Sequence, residues 1–222
     1  MKAIHSMVCA GLVALILAVA VPASADVIVL DFEGIGDFQP VGNYYDGGGG
    51  PDYGIDFSGD TLALVDADSG GGGNFANEPS PNTIMFFLNA SNAILNFAAG
   101  FDTGFSFFYT SSTAATVTVY DGVNGTGNVL GTLDLVAQFN SNCVGDPTGQ
   151  FCNWSPVGVA FAGTARSIDF AGTANQTGFD DITFGSATPG DPGDPTAVPE
   201  PATMLTFGAG LAALARRRMK RS

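Results

Sequence analysis

Between residues 27 and 184 the apolar positions come in short runs broken by glycine, and no run keeps a helical repeat over a useful length. The runs predict strands at Val27 to Phe32, Ile55 to Ser58, Thr61 to Val65, Thr83 to Leu88, Ala93 to Phe97, Gly104 to Tyr109, Thr116 to Tyr120, Val129 to Leu135, Val157 to Phe161, Ser167 to Phe170 and Phe179 to Phe184. In Thr116-Val117-Thr118-Val119-Tyr120 the two valines fall on one face and Thr116, Thr118 and Tyr120 on the other, as expected for an antiparallel sheet with one wet face. Gly47 to Gly50, Gly70 to Gly73 and Asp121 to Gly127 punctuate the runs, and the last reads as a hairpin loop. The strands suffice for two sheets. The expected fold class is all-β: an antiparallel β-sandwich, jelly-roll-like, over residues 26–186.

Both ends depart from the strand pattern. Lys2 precedes an apolar core from Met7 to Val21, and Ala23-Ser24-Ala25 supplies small residues for cleavage, so residues 1–25 read as a signal peptide and the mature chain as starting at Asp26. Cys9 lies near the start of that core rather than just after it, which argues against lipid attachment. Residues 187–197 form a Pro/Gly/Asp linker with nothing to pack a core. Residues 198–222 then run from Val198-Pro199-Glu200-Pro201 through an apolar stretch, Ala202 to Ala215, into Arg216-Arg217-Arg218-Met219-Lys220-Arg221.

The apolar stretch predicts a single membrane-anchor helix at 202–215, with the cations held on the cytoplasmic side. It is shorter than the usual span of about 20 residues. Snorkelling arginines can lengthen it, and an interfacial helix is the alternative reading. The order of the three parts resembles the PEP-CTERM sorting signal. That resemblance covers only the tail, and it implies a destination rather than an activity of the body. It implies export, transient residence in the inner membrane, and cleavage near Pro-Glu-Pro by an exosortase-type processing peptidase. Val198, Pro199, Glu200 and Pro201 would be the recognition residues, and Arg216, Arg217 and Arg218 part of the retention cluster. The product would reach the cell surface or extracellular matrix, in association with exopolysaccharide or biofilm.

Charge sharpens this picture. All 21 acidic residues lie between Asp26 and Glu200, where Arg166 is the one basic residue, a net charge of −20 over that stretch. Such a field repels nucleic acid, which is excluded as a partner, and favours solubility and divalent cations.

The chemistry open to the body is narrow. His5, the sole histidine, belongs to the signal peptide, and no lysine lies between Lys2 and Lys220. Histidine-based nucleophilic triads and Schiff-base lysines are therefore absent from the expected mature body. A glycosidase would need a pair of carboxylates, and no spacing selects one among Glu33, Glu78 and the aspartates. The expectation is a non-enzymatic protein that requires no cofactor. A structural Ca²⁺ is the one ion its carboxylates would suit. Asp66-Ala67-Asp68-Ser69-Gly70 begins like a calcium loop, but Gly70 stands where a third ligand belongs, so an acidic turn is expected. Asp31-Phe32-Glu33 and Gly178-Phe179-Asp180-Asp181 lie on terminal strands, and if those are neighbours Glu33 and Asp181 can share an ion. Similar end-strand carboxylates hold calcium in many jelly-roll carbohydrate-binding modules, which the body resembles in general pattern.

For a sugar, Tyr44 and Tyr45 beside the Gly47 to Gly50 loop, with Tyr53, are the candidate ligand-binding rings. Trp154 is another candidate ring, against which stands the commoner use of tryptophan in the core, and Phe105, Phe107, Phe108 and Tyr109 are expected as sheet packing. Cys143 and Cys152 enclose a short loop and are expected to form a disulfide in an oxidising exterior. Two thiolates with no histidine are too few for a zinc cage. Two functions remain open: a sorted surface or matrix component, and a carbohydrate-binding module, with or without dependence on calcium.

Overall fold

A computed structural model describes residues 27–139 and 150–190. Eleven antiparallel strands form two sheets: β1 (Ile28–Leu30), β2 (Ile55–Phe57), β3 (Thr61–Val65), β4 (Thr83–Phe87), β5 (Asn92–Phe101), β6 (Gly104–Ser111), β7 (Ala115–Tyr120), β8 (Val129–Leu135), β9 (Ser155–Ala160), β10 (Ala165–Ala171) and β11 (Thr177–Phe184). One sheet runs β3-β4-β11-β6-β9, with β1 also paired to β11, and the other runs β2-β5-β10-β7-β8. From β4 onward the chain crosses repeatedly between sheets. β11 thereby falls between β4 and β6, and β10 between β5 and β7, the interleaving of a jelly roll.

Phenylalanine fills the space between the sheets. Phe105, Phe107, Phe170, Phe179 and Phe184 are fully buried there. Phe170 and Phe179 meet edge to face at 4.9 Å, and Phe101 and Phe184 do the same. Strand β7 shows why the alternating segments took this form: Val117 and Val119 are buried while Thr116, Thr118 and Tyr120 are half-exposed. Strand β4 has no polar alternation, and every one of its residues is buried. Its outward side is covered by a second apolar cluster of Leu64, Phe75, Ile84 and Phe86, against which Phe151 and Trp154 pack. A continuous apolar run is the sequence form of a strand buried on both faces. Trp154 is seated by an Nε1–H donated to Ala76 O at 3.0 Å and by the bare backbone of Gly178, where a Cβ would come within 3.4 Å of the indole.

The β7–β8 loop is the hairpin expected from its glycines. Asp121 N–H donates to Asn128 O, and the Asp121 carboxylate accepts from Asn128 N at 2.7 Å and Nδ2 at 2.8 Å. These Asn128 bonds hold the exposed Asp121 carboxyl below its usual range.

Two boundaries differ from the sequence reading. The first strand ends at Leu30 rather than Phe32, because Phe32 has φ 62 and leaves the β region. The linker expected from residue 187 begins later, since Ser186 and Ala187 lie across β6 and β9. Ser106 Oγ donates to Ser186 O at 2.9 Å, and a Cβ on Gly158 would stand 2.0 Å from Ala187 O. Missing side chains at Gly104 and Gly158 make the slot that holds this segment. The signal peptide (1–25) and the anchor segment (202–215) lie outside the described residues. Among the described residues no helix is long and apolar enough to cross a membrane.

Candidate functional site

Pairing of β1 with β11, with Leu30 opposite Ile182, brings the two ends of the domain together. Asp31, Glu33, Asp180 and Asp181 consequently gather at one corner, as the sequence reading required for any shared ion. The roles of these acids are uneven. Glu33 Oε1 accepts from Asn82 N at 2.9 Å and Thr83 N at 2.7 Å, and Oε2 accepts from Thr83 Oγ1 at 3.2 Å. Glu33 thus clamps the segment entering β4.

Asp180 is the buried acid, fully shielded from solvent. Its carboxyl accepts from Ser80 N at 2.8 Å, Ser80 Oγ at 2.8 Å and Asp181 N at 2.7 Å. Burial outweighs those donors, with Asp181 adding repulsion, so the Asp180 pKa is pushed up to about 7. The sequence reading singled out its neighbour Asp181, as an acid able to share an ion with Glu33. The difference is a bulge: the β11–β6 register shifts between Asp180 and Thr183, and Asp181 takes φ 47. A signal for it existed, since Phe179 and Phe184 both face the core although they stand five positions apart, an odd offset that should put them on opposite faces. Strict alternation forbids that without one extra residue. Among the described residues, no group of three or more His, Cys, Asp or Glu side chains is arranged to hold a metal ion.

The tyrosines of the expected sugar site belong to the same corner, where Tyr45 is buried and Tyr44 half-buried. Tyr45 is only 2% exposed and its hydroxyl accepts the Phe32 N–H at 2.7 Å. Burial raises its pKa far above the ordinary phenol value. Tyr44 donates its hydroxyl to Glu33 O at 3.1 Å and lays its ring on the glycine loop, where a Cβ on Gly50 would come within 2.3 Å of Cε1. The two rings meet edge to face at 5.0 Å. The glycines therefore serve to let the chain pass close over Tyr44 rather than to frame an open ligand loop. Tyr53 is the exposed member, at 38%, stacked 6.3 Å from Tyr45.

The other singled-out residues are placed as follows. Asp66 caps a 3-10 turn, Ala67–Ser69, by accepting from Asp68 N, and Gly70 closes the turn at φ 89, as expected of an acidic turn. Cys152 is buried, while Cys143 lies outside the described residues. Val198, Pro199, Glu200, Pro201, Arg216, Arg217 and Arg218 also lie outside them.

At the end of the sandwich where β1 begins and β11 finishes, the two sheets part around a cleft of about 230 Å³. Ile28, Phe97, Phe101 and Phe184 wall it, and Asp102 and Thr164 stand at its rim. Sequence reasoning did not single these residues out, because phenylalanine is a common core residue and no local pattern shows that β1, β5 and β11 end around one space.

No curated protein matches the chain. Among solved structures it is similar to a family 6 carbohydrate-binding module, with 12% identity, 71% of this chain and 92% of that one covered, and a TM-score of 0.36. It is similar to a carbohydrate-binding module from Cellvibrio mixtus lichenase 5A in complex with cellotriose, with 16% identity, 56% and 86% covered, and a TM-score of 0.33. It is also similar to a glycoside hydrolase family 43 arabinoxylan arabinofuranohydrolase from Bacillus subtilis, with 20% identity and a TM-score of 0.35, covering 57% of this chain but 24% of that protein. The tail gives a separate result: residues 197–221 match the family model described as the PEP-CTERM protein-sorting motif, so this is a β-sandwich protein that carries the PEP-CTERM sorting motif.

Proposed function

We propose that the protein is a non-enzymatic component of the cell surface or extracellular matrix, exported by its N-terminal signal, held briefly in the inner membrane and released by an exosortase-type peptidase. The observation that carries this reading is the matched motif at 197–221, which contains both Pro199-Glu200-Pro201 and the Arg216-Arg217-Arg218 cluster. A short spacer separates it from the segment seated on Gly104 and Gly158. An oxidising destination also suits the proposed Cys143–Cys152 disulfide, which would stiffen the loop beside Trp154. Association with exopolysaccharide follows from the same destination, and a carbohydrate-binding role for the sandwich is the alternative within it.

Mass spectrometry of C-terminal peptides, on protein recovered from the envelope and the medium of native cells, tests delivery. Termination near Pro-Glu-Pro with residues 202–222 missing is expected. An intact basic terminus in the membrane fraction would overturn the sorting reading and leave a permanently tethered protein.

A structural Ca²⁺ at the chain-end corner is a second reading, favoured by the β1–β11 pairing that gathers Asp31, Glu33, Asp180 and Asp181. Glu33 and Asp181 would have to trade some present hydrogen bonds for the ion. Added Ca²⁺ should raise the melting temperature of the exported protein and EGTA should reverse it. A melting temperature indifferent to both removes calcium.

A further inference from the structure

The cleft at the end of the sandwich is larger than packing defects in protein interiors, which seldom exceed a water molecule. For scale, an apolar cavity of about 150 Å³ accepts benzene. At about 230 Å³ this one has room for one six-membered ring with substituents. Its floor is aromatic: Phe97 and Phe101 lie stacked at 6.0 Å, and Phe184 meets them edge to face at 5.7 Å and 4.9 Å. Each of the first two keeps 8% of its surface open. The exposed Asp102 and Thr164 side chains place a carboxylate and a hydroxyl at the rim. The β5–β6 turn that carries Asp102 is pinned by Gly104 N–H donating to Asp102 O at 2.9 Å, so the acid is held on a short, fixed connection. Glycine at 100, with φ 82, lets Thr164 close on the turn, since a Cβ there would fall 2.4 Å from Thr164 Cγ2.

An apolar ring face below and hydrogen-bond acceptors around the edge match a pyranose, whose C–H groups line its faces and whose hydroxyls ring its perimeter. Asp102 and the strongly negative body disfavour uronic or sulfated sugars. We propose that this cleft binds a single neutral pyranose ring, its C–H face on Phe97 and Phe101 and its hydroxyls on the Asp102 carboxylate and the Thr164 hydroxyl. The proposal deepens the carbohydrate-binding alternative and rests on it. It moves the site from the tyrosine loop to the opposite use of aromatics, a floor between sheets.

The test titrates the exported, full-length mature protein calorimetrically with glucose, galactose, mannose and N-acetylglucosamine, with indole as an apolar control. Saturable binding of at least one sugar is expected. Asp102→Ala should weaken it roughly three- to tenfold, the worth of one or two hydrogen bonds, and Thr164→Phe should block it, both with melting temperature unchanged because the positions are exposed. Binding of none of the four sugars, or of indole alone, overturns the proposal. A polysaccharide retained equally by wild type and both variants would also overturn it while leaving the carbohydrate-binding reading in place. C-terminal processing is unaffected by any of these results, so failure of the cleft and failure of the sorting reading are separable.

Discussion

Asp180 gives the folded protein one expected response to pH. Its folded pKa of about 7 stands above the ordinary carboxylate value, so the folded state holds the proton more tightly than the unfolded chain. Stability from this group is therefore fully present below about pH 4 and is lost as pH rises through about 7, by up to about 4 kcal/mol. The melting temperature should fall across that interval in calcium-free buffer, and Asp180→Asn should flatten the fall. Equal slopes in the two proteins would mean that another group controls the response. Tyr45 makes a different residue-level case. Tyr45→Phe leaves the buried Phe32 N–H without its acceptor and should cost about 1–3 kcal/mol in urea unfolding, whereas Tyr45→Ala opens a core cavity and should cost about 3–5 kcal/mol. A loss of glycan retention in Tyr45→Ala would then report unfolding, not a ligand contact. The role of Tyr45 was not legible in the sequence, and that of Asp180 only through the odd offset between Phe179 and Phe184. An aspartate pair reads alike at both positions until a bulge buries one, and a tyrosine in a glycine loop reads as exposed until the loop folds over it.

At the scale of elements, the strands were legible because alternation, apolar runs and glycine breaks are local. β3 and β8 match their expected bounds, and the others shift by a few residues where pairing extends or strain ends them. The Ser186–Ala187 seat was not legible, since its cause is the absence of side chains on β6 and β9, strands far away in sequence. Gly158→Val fills that slot and should expel the segment. Limited proteolysis should then cut between residues 186 and 190 faster than in wild type. Unchanged cutting would show that hydrogen bonds suffice to hold the segment, from the Ser106 and Thr103 hydroxyls to Ser186 O and Gly185 O and from Gly185 N–H to Gly104 O.

The whole molecule is dominated by like charge, with 21 acids against Arg166 over Asp26 to Glu200. Arg166 donates to Ala98 O and compensates little of that field. Raising ionic strength from about 0.01 M to about 0.15 M shortens the screening length from about 30 Å to about 8 Å. The melting temperature should rise accordingly, as repulsion relaxes in the folded state. A fall on adding salt would mean that attractive pairs outweigh the repulsion. The same field bears on partners, since neutral or cationic ligands meet no barrier at this surface and anionic ones do.

Sequence alone determined the β-class, the strand positions, the hairpin, the net charge and the sorting tail, because each is carried by neighbouring residues or by composition. Tertiary structure alone decided which carboxylate is buried, that the tyrosine pair is packed rather than presented, where the linker leaves the domain, and that a cleft opens between the sheets. Those features depend on strand register and on contacts between segments 100 residues apart and more, as in the Ser80–Asp180 bond and the pairing of Leu30 with Ile182. Local pattern carries no information about such distant pairs until the sheets are assembled.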